Sequence, residues 1–530
     1  MISRTALACL VSLVPALLAS APAGAQTAAP KRGGVLEFAV DTEPGNLDCH
    51  ANITFALMHT MAPHYSTLLK FDGVDYPQVK GDLAESWTVS ADRLTYTFKL
   101  RPNVLFHDGS KLTSADVKAS YERIAHPPPG VNSVRVADYS AISAIETPDA
   151  ATVVFRLRWP DASMLGNFAS PWNCIYSAAK LKEDEQFPKT HILGSGAFTF
   201  VEYVKGDHWS GKRFDKYFLP DRPYLDGYKA DFITGAKLIE ALQKGTVMAT
   251  FRSVTPSERD RLADSMGDRI SFGETPWVDL MTIDFNTTRK PFDDARVRRA
   301  LSLAVDRWKA ADSLSGTTYM KFVGGVMRPG SAMAISESDL AALPGFSRDI
   351  EAARAEARRL LAEAGAKDLK FTLINRDIPM PYDAAGAYLI AAWKAIGVSV
   401  TEERLGSVQM LERMEGHKYE VGLDIVGDYM DDPTLQLAKY VSTDLSPSNF
   451  TGSTDRFLDS LYIGQAVTPD LRQRNKIVRE FERHAVSEAN MVPFLWWNRI
   501  TAISPQVKGW HLMPSHFIGQ DLTEVWLDRK

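Results

Sequence analysis

The chain has 530 residues, 45% of them hydrophobic and 24% charged, with a formal net charge of −5. That length exceeds what one hydrophobic core supports, so two or three domains are expected at ~100–200 residues each. A mildly acidic chain with interspersed signs offers no basic patch of the kind nucleic-acid binding needs.

The first predicted element is an export signal. Arg4 is the only charge before Lys31, and Ala6 to Ala19 form an apolar run broken only by Ser12 and Pro15. Ala23-Gly24-Ala25 then supplies small residues at the −3 and −1 positions of a signal-peptidase site. Residues 1–25 therefore read as a signal peptide, with Gln26 first in the mature chain. The run falls short of the ~20 apolar residues of a spanning helix. Cys9 lies inside it, where a lipid-modified cysteine should end it. Losing one Arg moves the charge from −5 to −6. Of the remaining cysteines, Cys49 and Cys174, two buried free thiols are expected, although an oxidising compartment would permit a bond between them.

Further along, Leu94, Tyr96, Phe98 and Leu100 alternate with polar residues, the period of a strand with one buried face. His107-Asp108-Gly109-Ser110 supplies turn chemistry, and Thr113 with Asp116 forms a capping box opening a helix. Pro127-Pro128-Pro129-Gly130 breaks the chain into a loop. An amphipathic helix is predicted over Ala295–Trp308, behind the acidic pair Asp293-Asp294. A second covers Glu351–Ala364 and stops at Gly365, and a third covers 471–488. Strand and helix patterns intermix throughout, so the class is α/β.

These segments also carry a resemblance. Leu83–Trp87, Tyr96–Arg101, Phe106–Gly109 and Leu112–Val117 follow the pattern L-A-x-S-W, Y-T-F-x-L-R, F-H-D-G, L-T-A-x-D-V, with Ser114 for the usual Ala. Phe285-Asn286-Thr287 and Pro291–Leu301 match F-N-T-x-x-x-P-F-D-D-x-R-V-R-x-A-L. Leu360–Gly365, Trp393–Val398 and Gly194–Phe198 match further blocks, with Ala197 where Pro is usual. Gly33–Leu36 and Glu43–Asp48 fit as well, with Cys49 where Pro is common. The chain resembles the bacterial extracellular solute-binding proteins of family five, the dipeptide, oligopeptide and nickel receptors of ABC importers, over essentially all of 33–530.

The resemblance implies a two-lobed periplasmic-binding-protein fold, type II-like with an extra domain, closing around a hinge. Domain I would comprise 33–72, 195–278 and 495–530; domain II would be the insertion 73–194; and domain III would be 279–494. It implies a monomeric periplasmic receptor that captures a small solute, most simply a peptide. That solute would pass to inner-membrane permease subunits served by cytoplasmic ATPases. A non-peptide solute, such as an oligosaccharide, opine or metal chelate, is the alternative within the same role.

In peptide-binding relatives a carboxylate in an Asp-x-x-[DE]-Pro stretch pairs with the ligand's α-amino group. Asp428 is the best match, although Pro433 follows it by five residues and Tyr429 occupies the strictly aligned place. Asp424, Asp431 and Asp432 compete, the last two reading as solvated loop or cap residues. A loop or cap role for Asp428 stands beside the ligand role. Arg376 lies where dipeptide-binding relatives hold a ligand carboxylate, and an ion pair with Asp377 or another acid is the commoner use of such an Arg. Trp496 and Trp497 lie on a strand, where alternation sends one to the cleft and one to the core. Trp172 and Trp277 are weaker candidates of that kind.

A secreted hydrolase is the competing class. There is no H-E-x-x-H, no Cys-x-x-Cys, no G-x-S-x-G elbow and no Walker loop, so neither catalytic residues nor a metal or other cofactor are assigned. The lone histidines, His107 among them, read as structural hydrogen-bonders.

Overall fold

The computed structural model describes residues 29–529. The expected signal peptide, its expected cleavage point and Cys9 lie outside the described residues. The chain opens with β1 (Val35–Val40), followed by a hairpin of β2 (Leu69–Phe71) and β3 (Val79–Gly81). Next come β4 (Ala84–Val89), β5 (Thr95–Leu100), β6 (Ile142–Asp149) and β7 (Thr152–Leu157). These last four make a separate antiparallel sheet ordered β4-β5-β7-β6. The chain then runs through β8 (Phe198–Val204), β9 (His208–Arg213), β10 (Gly227–Phe232), β11 (Ala249–Thr250) and the long β12 (Ser271–Phe285). After β13 (Met320–Phe322), β14 (Lys370–Arg376), β15 (Ser399–Leu405) and β16 (Val421–Val426), it returns along β17 (Met491–Ile503). It ends with the pair β18 (Val507–Lys508) and β19 (Trp526–Leu527).

One large sheet, ordered β15-β14-β16-β12-β17-β11-β1-β10-β9-β8, joins both lobes. β12 and β17 are antiparallel neighbours that cross from one lobe into the other. Twelve of the thirteen residues of β17 are buried, as a central strand covered on both faces demands. On one side of this pair, β1, β8–β11 and the four-stranded sheet share a single core with Phe38, Phe98, Trp172 and Tyr228. On the other, β14, β16 and their helices enclose Trp277, Phe285, Phe371 and Trp393.

The local expectations hold where local chemistry decides. In β5, Tyr96, Phe98 and Leu100 face the core. The Asp116 carboxylate accepts from Thr113 N at 2.7 Å and opens the helix Ser114–Ala125. The helices Ile350–Glu363 and Leu471–Glu488 are in place, the first followed by Gly365 at φ +71°. The helix expected over Ala295–Trp308 divides instead into Ala295–Leu303 and Arg307–Leu314. The Asp306 side chain accepts from Lys309 N at 3.0 Å and starts a new helix where periodicity alone would continue the first.

The cysteines correct the free-thiol expectation. Cys49 and Cys174 form a disulfide linking segments 125 residues apart. Around it, Arg123 donates to the Asp48 carboxylate, and His50 bonds the Cys174 carbonyl at 3.0 Å. The histidines are structural hydrogen-bonders as expected. His107 meets Gly196 O, His59 meets His516 O, and His64 meets Phe198 O.

Candidate functional site

The two lobes meet where β12 and β17 cross, and the candidate cleft is placed there. Their register is regular from Ser271↔Ile503 to Pro276↔Asn498, then resumes at Leu280↔Trp496. Four steps of β12 therefore span two steps of β17, and the surplus backbone at Trp277, Val278 and Asp279 bulges out of the ladder. Such bulges re-aim side chains. Here the bulge sets Asp279 against Gly427, the residue after β16, so closely that a Cβ on Gly427 would collide with Asp279 Oδ1.

The fully buried Arg499 organises the first lobe's side of the cleft. Its guanidinium donates to the carbonyls of Phe251, Arg252, Met513 and Ser515. That clamp positions two loops, one presenting Arg252 and the other His516-Phe517. Arg252 pairs with Asp41 at 3.0 Å and lies 4.3 Å from the centre of the Phe55 ring and 5.9 Å from that of Trp277. Trp277 donates to His516 Nδ1 at 3.0 Å and meets Trp497 edge to face at 5.9 Å. Tyr319 and Tyr382 pack on the same Trp497 ring. Trp172, Phe517 and His516 continue the aromatic wall on the other side.

The segment Gly427–Pro433 enters from the second lobe. Asp428 Oδ1 accepts from Tyr429 N at 2.6 Å and lies 3.5 Å from Arg135 Nη1, with its side chain 34% exposed. Arg135 also reaches Asp138 at 3.4 Å, and its guanidinium lies 4.9 Å from the centre of the Tyr429 ring. Four buried N–H groups around this cleft have no acceptor among the described residues: Arg135 Nε, Trp172 Nε1, Arg252 Nε and Trp497 Nε1. A ligand's oxygens would satisfy such donors. Burial pushes Asp279 up to about 7, Arg252 opposing the rise and Asp428 adding to it. Burial likewise pushes Asp138 up to about 6 against the pull of Arg135.

The expected residues fall into two groups. Asp428 is half-buried beside Arg135, whose guanidinium also lies over the buried Trp172 ring, and Trp497 is buried against Trp277. Trp496 is corrected: it is wholly buried in a core with Leu280 and Phe481, and its Nε1 donates to Gly325 O at 2.9 Å. Strand alternation, which gives only one of the pair to each face, is the cause. Tyr429 is buried too, in the first lobe's core, with its hydroxyl donating to Asn167 Oδ1 at 3.2 Å. Arg376 pairs with Asp424 at 3.0 Å rather than with Asp377. Asp424 also holds Lys439 at 2.5 Å; against the cost of burial, these two cations keep its carboxyl below the usual range.

Asp431 is not a solvated loop residue, whereas Asp432 is the cap that one of the two expected readings named. Asp431 is held by Arg328 at 2.7 Å and by the Tyr76 hydroxyl. Asp432 caps the turn Pro433–Gln436 and pairs with Arg474 at 2.7 Å. Sequence reasoning did not single out Asp279, Arg252 and Arg135, whose positions arise from contacts across the fold rather than from any local pattern. Among the described residues there is no cluster of metal-ligating side chains, and no helix is long and apolar enough to cross a membrane.

Residues 78–446 match the family described as bacterial extracellular solute-binding proteins, family 5 Middle. The Salmonella typhimurium glutathione-binding protein GsiB is 26% identical over 446 residues, 82% of this chain and 84% of that protein. An Escherichia coli protein of the same name is 31% identical over 292 residues, which cover 54% of this chain and 53% of that protein. Among solved structures, the Helicobacter pylori periplasmic binding protein DppA in complex with peptide STSA superposes with a TM-score of 0.78. It is 22% identical and covers 94% of this chain and 99% of that one. The A. tumefaciens protein AgaA, in complex with agropinic acid, superposes with a TM-score of 0.78 at 25% identity, again covering 94% and 99%. With that family match over residues 78–446 and a two-lobed fold shared with the solved structures, this chain belongs to the bacterial extracellular solute-binding proteins of family 5.

Proposed function

We propose that this chain is the periplasmic receptor of an ABC importer and binds a small peptide or peptide-like solute between its lobes. The observation that carries this reading is the mixed charge of the cleft. Asp428 and Asp279 stand ready for an ammonium group, and Arg135 and Arg252 for a carboxylate, between walls of Trp, Tyr and Phe. A zwitterion with apolar side chains matches that pattern, because each charge leaving water needs a partner. An oligosaccharide would need neither pair of charges.

Ligand contacts to both lobes form only when the lobes are together, so binding favours closure, and the closed shape is what a permease would read. The division into 33–72, 195–278 and 495–530, with 73–194 inserted and 279–494 as the opposite lobe, agrees with the separate four-stranded sheet and the two cores. Export to the periplasm agrees with the same reading.

A thermal-shift screen of dipeptides, longer peptides, oligosaccharides and nickel complexes tests it. A ligand at ~100 times Kd adds about 2.7 kcal/mol of stability. Stabilisation by free-amine peptides is the expected result. Stabilisation by a neutral sugar or a metal chelate alone would replace the peptide reading.

A further inference from the structure

One carboxylate in the cleft has no cation of its own. Asp41, Asp138, Asp279 and Asp428 lie near Arg135, Arg252 and Arg499, and Arg499 spends its guanidinium on backbone carbonyls. Arg252 is committed to Asp41 at 3.0 Å, and Arg135 is shared between Asp138 and Asp428. Among the described residues, Asp279 has neither a salt-bridge partner nor a side-chain hydrogen bond, although burial disfavours its charge. The next ring outward does not supply the missing cation, because Arg376 and Lys439 both belong to Asp424.

The placement of Asp279 is built into the fold. The bulge in β12 lifts it out of the ladder, and Gly427 leaves room for its carboxylate beside the backbone that carries Asp428. A second observation points to a ligand there. Trp497, on the strand facing the bulge, is 6% exposed and has an Nε1–H without an acceptor; Trp172, beside Arg135, has the same. These donors suit the carbonyl and carboxylate oxygens of a solute whose cationic groups sit on the two aspartates.

We infer that Asp279 is a specificity-determining residue that receives a second positive charge, so the preferred solute is a cationic peptide-like molecule. Its free α-amine sits at Asp428 and a neighbouring basic side chain at Asp279. This inference rests on the cleft being a peptide site. It separates this chain from the glutathione named for its relatives, since glutathione carries two carboxylates against one ammonium and meets an acidic cleft unfavourably.

Calorimetric titration of the full mature chain at low salt with Lys-Ala, Ala-Ala and glutathione tests it. Lys-Ala should bind about ten-fold or more tightly than Ala-Ala, and glutathione more weakly than either. Asp279→Asn should abolish the preference for Lys-Ala over Ala-Ala, weakening Lys-Ala about ten-fold more than Ala-Ala. Asp428→Asn should weaken both dipeptides. Wild-type protein that binds Ala-Ala or glutathione as tightly as Lys-Ala overturns the inference and leaves the peptide reading standing. A wild-type protein that binds none of the three removes the peptide reading as well. The wild-type comparison decides without any variant, so a substitution that fails to fold cannot hide the answer.

Discussion

Ser163 Oγ donates to Asp432 Oδ1 at 2.6 Å, fastening the loop after the four-stranded sheet to the segment after β16 across the lobe boundary. Arg474, whose side chain is 3% exposed, holds the same carboxylate at 2.7 Å, and Ala162 N donates to Ala466 O beside it at 2.7 Å. The lobes thus meet through a buried, charge-assisted contact as well as through a ligand cleft.

Arg474→Met should cost about 3–5 kcal/mol of stability, because it leaves the Asp432 carboxylate buried without its cation. Urea unfolding measures this. Ser163→Ala removes the hydroxyl's contacts with Asp432, Thr434 and Arg474 but leaves the Asp432 charge paired, so a smaller loss of about 1–3 kcal/mol is expected. A destabilisation by Ser163→Ala as large as that by Arg474→Met would contradict the assignment of the charge to Arg474.

Reduction of Cys49–Cys174, or the double substitution to Ala, should lower stability by about 2–5 kcal/mol, since the bond closes a long loop of the unfolded chain. Melting with and without reductant reads the effect. An unchanged melting temperature after verified reduction would show that the bond contributes nothing.

Affinity for a dicationic solute should depend on pH with a definite sign. Asp279 must be ionised to receive a cation, and its carboxyl is pushed up to about 7. Below that pH, binding releases a proton, so affinity falls by up to about ten-fold per pH unit; above it the curve levels. Asp428, Asp138, Arg135, Arg252 and Tyr382 face the same region. Burial keeps His59 and His516 neutral throughout. Asp279→Asn should flatten the curve between pH 6 and 7. A slope of the opposite sign would count against an ionised Asp279 in the complex.

Closure should be visible in solution. Ligand-free protein is expected to be more extended than the saturated form in small-angle scattering. An unchanged radius of gyration at a confirmed bound fraction would contradict hinge closure.

What could be read in the sequence was what neighbouring residues decide. The alternation in β5, the Thr113–Asp116 box and the Gly365 stop each need only a few consecutive side chains, and each stands as expected. The break at Asp306 escaped because capping competed with an uninterrupted apolar period. Alternation put one of Trp496 and Trp497 in the core, but which one depends on the partners of β17, far away in sequence. Asp279 was invisible for the same reason. It gains its position from a register slip between strands more than two hundred residues apart, and from a glycine just beyond the end of a third. The disulfide likewise depends on two segments meeting in space.

The most direct measurement is titration of wild type and Asp428→Asn with a free-amine dipeptide and its N-acetylated counterpart. Truncating one partner of a buried charge pair costs about 2–5 kcal/mol, a tens- to thousands-fold loss of affinity. N-acetylation should weaken wild type by that amount and Asp428→Asn hardly at all, since both changes delete the same interaction. The variant's unliganded stability should stay close to wild type, because the Asp428 side chain is partly hydrated at 34% exposure. An Asp428→Asn protein that binds the free-amine dipeptide as tightly as wild type would contradict the assignment of the α-amino group to Asp428.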